Sequence, residues 1–172
     1  GAACSYYLAR AGHDVTLVAR GPVAGGTTSR GEGNILVSDK APGPELQLAQ
    51  FSAALWREIG HDLGDDAVER ESKGGVVVAT SEPGRAALDE FAAAQAAAGV
   101  SCEPILANRL REFEPHLAPG LAGGMYYPDD QQVQPALAAA EMVAAARALG
   151  ATVLQYQAGS YKHLTLPTIL RV

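Results

Sequence analysis

Apolar and polar positions at the start of the chain follow first a helical and then a strand-like pattern. Ala3, Tyr7 and Leu8 share one face at helical spacing, and Gly12 stands where a helix ends. Residues 14–20 are a short β-branched run of the kind buried in a parallel sheet. The pattern therefore predicts a helix followed by a strand.

A loop dense in glycine and hydroxyl residues, 21–34, follows the predicted strand. Pro44 then opens a long helix. The apolar stripe of this helix recurs at helical spacing and consists of Leu48, Leu55, Trp56, Ile59 and Leu63. We interpret Trp56 as a core anchor of the helix.

The rest of the chain continues to alternate between strand and helix patterns. Strands are predicted at 74–80, 123–127 and 151–155, and helices at 85–98 and 136–149, with a short helix capped by Asn108 and ended by Pro115. Apolar helices interleaved with short strands indicate an α/β architecture. We interpret the strands as parallel-type pieces of a larger sheet.

Composition and charge narrow the class of protein. Of the 172 residues, 48% are apolar and 19% are charged, which supports a sizeable core and excludes a disordered chain. No apolar run approaches the roughly 18 residues that a membrane helix needs, so no transmembrane span is predicted. The 13 basic and 19 acidic residues give a net charge of −6, which argues against nucleic acid or an anionic membrane as a partner.

Cysteines and histidines show no ligand or nucleophile pattern. Cys4 and Cys102 are too few and too far apart for a disulfide framework, and the four histidines lack metal-ligand spacing. No Ser/His/Asp or Cys/His constellation is evident. We therefore expect a cytoplasmic protein without a metal site.

Both ends of the chain look irregular. The first residue already lies inside a helical pattern. From residue 159 onward the chain contains neither alanine nor an acidic residue, and 163–168 back-translates to a string resembling a sequencing-library adapter. We interpret 157–172 as a non-native tail, with an ordinary terminal strand as the alternative.

A helix, a strand and then a Gly/Thr/Ser loop form the second half of a β-α-β nucleotide-binding unit. Of the G-x-G-x-x-G fingerprint only the last glycine could be present, as Gly1, and spacing alone makes this a weak motif. Five segments of the sequence strengthen this weak motif. They are 1–15, 23–34, 73–78, Glu114-Pro115 and 127–135.

In this order, the pieces resemble FAD-dependent oxidoreductases of the D-amino-acid oxidase, glycine oxidase and sarcosine oxidase superfamily. The resemblance implies a Rossmann-like FAD-binding domain that lacks its first strand, carries an inserted α+β substrate domain and is truncated at both ends. The implied segments are FAD-binding 1–66, substrate-capping 67–130, a return to the FAD-binding domain at 131–156, and the tail 157–172.

The resemblance also implies cofactor-binding positions. Gly1 would be the third fingerprint glycine and let the first helix pack against the lost strand. Position 19, where such flavoproteins usually carry a Glu for the adenosine ribose, is Ala19 here, and Arg20 is the nearest substitute. The loop that follows contains two further groups of implied cofactor-binding residues. Thr27, Thr28, Ser29 and Arg30 would face the pyrophosphate, and Glu32, Gly33 and Asn34 would approach the flavin ring.

The implied reaction is hydride transfer from the α-C–H of a small amine or amino acid to the flavin, followed by imine hydrolysis and reoxidation by oxygen or a carrier. Catalytic residues are not identified, because the resemblance places substrate contacts beyond Gln155. Asp129 and Asp130 are interpreted as turn residues. Tyr126 and Tyr127 alternate across a strand, one toward the core and one toward a cavity.

Two other functions compete with this interpretation. An NADP-binding Rossmann oxidoreductase is favoured by Ala19-Arg20, because an arginine in that place can accept a 2′-phosphate. A non-catalytic α/β binding module is favoured by the short chain. The substrate within the amine class, the mode of flavin attachment and the oligomeric state are not predicted, and the chain by itself is expected to be inactive.

Overall fold

A computed structural model describes residues 1–157 of the chain. The tail at 157–172 lies outside the described residues except for Gln157. Six helices are described: α1 Ala2–Arg10, α2 Pro44–Leu63, α3 Asp65–Val68, α4 Glu82–Ala97, α5 Leu110–Phe113 and α6 Pro135–Ala148. Seven strands accompany them: β1 Thr16–Val18, β2 Asn34–Ile35, β3 Gly75–Ala79, β4 Glu103–Ile105, β5 Gly123–Tyr127, β6 Gln131–Gln132 and β7 Thr152–Leu154. Two 3₁₀ turns cover Thr27–Arg30 and Ala107–Arg109.

The strands form three small sheets. β1 pairs with β7 in parallel, β2 pairs with β6 antiparallel, and β3, β5 and β4 form an antiparallel sheet in that order. The predicted α/β architecture is confirmed. The parallel interpretation is correct for β1 and β7 but wrong for β3 and β5, because a β-branched apolar run indicates a strand without specifying the direction of its neighbour.

Four apolar clusters connect the elements, and three of them contain large side chains. α1, α2 and α6 meet at Tyr6, Ile59 and Met142. The second cluster lies beneath β2 and β6 and contains Ile35, Ala53, Val68, Val133 and Ala138. The third lies between α2, α4 and the three-stranded sheet and contains Val37, Leu46, Ala92, Val100, Met125 and Tyr127. Trp56 packs against the first two clusters, as its interpretation as an anchor requires.

The predicted buried faces of α1 and α2 are partly wrong. Tyr7 and Leu8 are 40% and 47% exposed, because α1 contacts α6 and α2 through the face that carries Tyr6 and Ala9. In α2, Leu48 is 67% exposed, and the buried positions nearby are Leu46 and Ala53. Alanine is a frequent core residue in this chain, so the larger side chains alone do not mark the buried face.

Predicted boundaries hold better for the long elements than for the short ones. β5 spans the predicted residues, and α4 and α6 begin and end within three residues of their predicted limits. Asn108 does not cap a helix: it lies inside the turn Ala107–Arg109, and α5 begins after that turn. β2, β4 and β6, each two or three residues long, were not predicted.

A buried carboxylate holds the start of the connection between β2 and α2. Asp130 is 1% exposed, and its Oδ1 accepts the backbone N–H groups of Val37 at 2.8 Å and Ser38 at 3.2 Å. Asp130 does lie in a turn, since its N–H donates to the carbonyl of Tyr127. The turn interpretation of Asp129 and Asp130 is therefore incomplete, because Asp130 also organises a distant segment.

The carbonyls of the same connection are held by a buried amide from α4. The Gln95 Nε2 donates to the carbonyls of Val37, Ser38 and Lys40 at 3.2, 3.1 and 2.8 Å. The Tyr127 hydroxyl in turn donates to Gln95 Oε1 at 2.7 Å. We call Asp130, Gln95 and Tyr127 together the loop clamp. Because buried polar groups are costly unless paired, the clamp specifies one conformation for residues 37–40.

Tyr127 makes the stability of this clamp pH-dependent. Burial, with Cys102 and Asp130 nearby, raises the pKa of Tyr127 from its ordinary value near 10 to about 12. The folded state therefore favours the neutral phenol, and this stabilisation is present below pH 10 and is lost as the pH rises through 12.

We expect Tyr127→Phe to lower the free energy of unfolding at pH 8 by about 1–3 kcal/mol, because Gln95 Oε1 loses its donor. We also expect the mutant to lose less stability than the parent between pH 10 and 12. Urea unfolding of the protein expressed from its complete gene, at several pH values, measures both. Parallel pH profiles for parent and mutant would contradict the assignment.

Candidate functional site

One cavity of about 380 Å³ gathers several of the sequence-predicted positions. It lies between the start of α1, the loop that leads into β2, and the segment from β6 into α6. Its lining consists of Gly1, Ala2, Ala3, Thr28, Gly33, Asn34, Ile35, Trp56, Val133, Pro135, Ala138, Ala139 and Met142. Gly1 is thus brought together with Thr28, Gly33 and Asn34 of the loop.

The first turn of α1 lines this cavity. The opening N–H groups of a helix have no partner within the helix, and among the described residues no side chain caps the first turn of α1. Gly1, Ala2 and Ala3 all line the cavity. A β-carbon on Gly1 would lie 3.3 Å from Leu17 Cδ1, so this residue also sits close to β1. Such a helix start favours an anionic group.

Gly33 is required by the chain itself. Its φ is +83°, and a β-carbon there would overlap the carbonyl oxygen of Val133. The Val133 N–H donates to the Gly33 carbonyl at 2.9 Å, so the two backbones are in direct contact. The resemblance explained this glycine by the approach of a flavin ring. The structure supplies a reason within the protein: only glycine lets this loop pack onto the segment before α6.

The hydroxyl-rich turn Thr27–Arg30 contributes one residue to the lining. All four residues of the turn are exposed, and of these only Thr28 lines the cavity. The Ser29 hydroxyl donates to the carbonyl of Gly26 at 3.1 Å and thereby shapes the turn. The four predicted pyrophosphate positions are therefore not equivalent.

Ala19 and Arg20 lie outside this cavity, at the end of β1. The Ala19 N–H donates to the carbonyl of Leu154 at 2.8 Å, and the Ala19 carbonyl accepts from Gln157 at 3.1 Å. The backbone of Ala19 thus continues the pairing between β1 and β7. Arg20 is exposed.

A second cavity of about 380 Å³ adjoins the first and shares Asn34, Ile35 and Trp56 with it. Glu32 lines this second cavity, and its Oε2 accepts from Asn34 Nδ2 at 3.3 Å. Lys40 also lines it and pairs with Asp39 at 2.8 Å. Hydrogen bonding to Asp39 raises the pKa of Lys40, so this ammonium group remains charged.

The first cavity also has an apolar wall, which the sequence patterns do not predict. Trp56 from α2 and Met142 from α6 form this wall together with Val133, Pro135, Ala138 and Ala139. These residues are uncharged and belong to no sequence motif, and their contribution is the apolar surface that they give the cavity. The available signal was that Pro135 opens an alanine-rich helix, which predicts the helix but not which of its faces borders a cavity.

Other residues singled out in the sequence lie elsewhere. Tyr127 is fully buried, and Tyr126 is half-buried in a separate groove with Phe113, at 5.3 Å between ring centroids, as their alternation predicts. Glu114 is exposed and accepts from the backbone N–H of His116. Within residues 1–157, no three His, Cys, Asp or Glu side chains are grouped so as to hold a metal ion, and none of the helices described is long and apolar enough to cross a membrane.

Comparison with known proteins identifies several relatives. The chain is 28% identical over 162 residues to a glycine oxidase of Bacillus licheniformis, covering 91% of this chain and 42% of that protein. It is 31% identical over 163 residues to a glycine oxidase of Geobacillus kaustophilus (strain HTA426), covering 91% and 43%. The chain therefore spans less than half the length of these relatives.

Solved structures show the same fold. The crystal structure of glycine oxidase from Geobacillus kaustophilus superposes with a TM-score of 0.81 at 28% identity, covering 91% of this chain and 44% of that one. L-proline dehydrogenase from P. horikoshii shares the fold with a TM-score of 0.78 at 20% identity, covering 90% and 41%. The model of the DAO family, described as FAD dependent oxidoreductase, matches residues 1–163. On this match, together with the fold, the chain belongs to the DAO family of FAD-dependent oxidoreductases.

Proposed function

We propose that the protein carrying this chain oxidises the C–N bond of a small amine or amino acid, of the glycine, sarcosine or D-amino-acid type, with FAD as cofactor. The observation that carries the proposal is the single cavity at which the start of α1, Thr28 and Gly33-Asn34 meet. The 28% and 31% identities to glycine oxidases support the substrate class.

The residues present fit FAD in most respects. The uncapped amides of the first turn of α1 suit a pyrophosphate, and Thr28, which carries a hydroxyl, is part of the same lining. The apolar wall around Trp56 and Met142 suits a flat aromatic ring. Position 19 fits less well, since Ala19 offers no carboxylate to a ribose. We infer that Arg20 takes part in its place, and that Thr27, Ser29, Arg30 and Glu32 shape the loop around the cofactor.

When bound, FAD supplies the hydride acceptor for the α-carbon of the substrate. The chain described here binds and orients that group. The α1 amides would stabilise the phosphate charge, and the loop that holds Gly33 would keep Asn34 and Ile35 in the cavity lining. The wall formed by Trp56 and Met142 excludes water from one side of the cavity, which strengthens polar contacts there.

An NADP-binding Rossmann domain is less well supported. Such a domain would continue from β1 into another parallel βα unit. Here β1 is followed by the turn Thr27–Arg30 and by β2, which pairs antiparallel with β6 in a different sheet. Membership of a family of FAD-dependent oxidoreductases also argues against a non-catalytic binding module.

The activity itself is tested by anaerobic reduction. The protein is expressed from its complete gene, loaded with FAD and mixed with glycine, sarcosine or a D-amino acid. We expect the visible flavin absorption to bleach with at least one of them. An FAD-loaded protein that none of these substrates reduces would contradict the proposed substrate class.

We expect Thr28→Val to weaken FAD binding by about 10- to 150-fold, since a hydrogen bond to a charged group is lost. Thr80→Val is the matched control, because Thr80 is also an exposed threonine but lines none of the cavities. FAD titration followed by tryptophan fluorescence measures the dissociation constants, because Trp56 borders the cavity. Equal effects of the two substitutions would show that Thr28 has no specific role.

We expect Ala19→Glu to tighten FAD binding by about tenfold, because it adds a charged acceptor at the end of β1. The same substitution would weaken binding of NADP, since it places a carboxylate near a 2′-phosphate. Titrating both nucleotides against the parent and the mutant distinguishes the two cofactors. Tighter NADP binding in the parent than FAD binding would overturn the FAD assignment.

A further inference from the structure

The strand that carries Asn34 to the cavity is too short to fix its own register. β2 and β6 are two residues each and pair as Asn34 with Gln132 and Ile35 with Gln131. Side chains alternate between the two faces of a strand, so a slip of one residue exchanges their positions. Such a slip would move the Asn34 amide into the apolar cluster and turn Ile35, which is 9% exposed, toward solvent. Another contact must therefore hold the pairing.

β6 is anchored without help from β2. The Gln131 side chain is 2% exposed, and its Nε2 donates to the carbonyl of Ala53 at 3.2 Å. Its Oε1 accepts from Arg70 at 2.7 Å, and Arg70 is paired with Asp65 at 2.6 Å. The hydrogen bond that Arg70 donates to Asp65 lowers the pKa of the Asp65 carboxyl, so Arg70 and Asp65 remain an ion pair. β6 is thus a fixed reference against which β2 is set.

Asp130 connects this reference to β2. It directly precedes β6 in the chain, and its carboxylate accepts the N–H groups of Val37 and Ser38, which follow shortly after Ile35. At the other end of β2, the Gly33 carbonyl accepts from Val133. β2 is therefore held at both ends. At the end nearer to α2, the Asp130 carboxylate accepts the backbone N–H groups of Val37 and Ser38.

We propose that Asp130 is a positioning residue: it fixes the register of β2 against β6 and so places Asn34 and Ile35 in the lining of the cofactor cavity. Asp130 does not itself line that cavity. The inference rests on the proposed function only in taking FAD as the occupant of the cavity. It also means that 67–130, the segment interpreted as substrate-capping, contributes to the shape of the cofactor site.

Three variants of the protein expressed from its complete gene test this role. Asp130→Ala removes the acceptor, and Asp130→Asn keeps an Oδ1 that can accept both N–H groups. Ile105→Ala is the control for general destabilisation, since Ile105 is 3% exposed in β4 and lines none of the cavities described above. Each variant is examined by hydrogen exchange of peptides covering 33–40 without FAD, by FAD titration and by the visible flavin spectrum.

We expect Asp130→Ala to accelerate exchange in 33–40, to weaken FAD binding by about tenfold or more and to shift the flavin spectrum. We expect Asp130→Asn to stay within about threefold of the parent, and Ile105→Ala to lower the melting temperature while leaving affinity and spectrum unchanged. Parental exchange, affinity and spectrum in Asp130→Ala would overturn the proposal, as would an equal loss of affinity in Ile105→Ala. If the parent protein bound no FAD, the cofactor assignment would fail, and hydrogen exchange would still decide the role of Asp130.

Discussion

The position of β2 in the cavity lining depends on the buried contact between the Asp130 carboxylate and the amides of Val37 and Ser38. Short strands gain little from their own ladder, so the segment around β2 needs support from outside the strand. The loop clamp provides that support on both sides of the chain, because the Asp130 carboxylate holds the amides and the Gln95 amide holds the carbonyls. Apolar packing alone could not do this, since backbone polar groups must find partners when they are buried.

The cavity is built mainly from backbone and shape. Gly33 meets the Val133 carbonyl directly, and the first turn of α1 offers amides in place of charged side chains. Alanines of α6 and the side chains of Trp56 and Met142 complete the wall. Such a site binds through oriented dipoles and excluded water, which is consistent with a protein whose chemistry is supplied by a cofactor.

The sequence predicted those parts of the fold that depend on local pattern. Pro44, Pro135 and the glycines after α1, α4 and α6 mark helix limits, and the valine run of β3 marks a strand. It also indicated Gly1, Thr28, Gly33 and Asn34 as residues of a common site, through a family resemblance. Cofactor contacts at these positions stay a prediction.

The remaining features depend on contacts between distant segments. The role of Asp130 requires Val37, 93 positions away, and that of Gln95 requires carbonyls more than 50 positions away. Neither the direction of β5 relative to β3 nor the exposure of Leu48 follows from local periodicity, because each is set by the partner that packs beside it. For the same reason, the Pro-Asp-Asp sequence at 128–130 predicts a turn but does not indicate that the Asp130 carboxylate is buried.

A crystal structure of the protein from its complete gene, grown with FAD, would show directly whether the cavity holds the cofactor and whether Asp130 holds β2. We predict the pyrophosphate at the first turn of α1, with Thr28 and Asn34 in contact with the cofactor and the Asp130 carboxylate bonded to Val37 and Ser38. FAD bound away from this cavity would overturn the cofactor assignment, and FAD bound within it while residues 33–38 adopt a different pairing with β6 would overturn the role of Asp130.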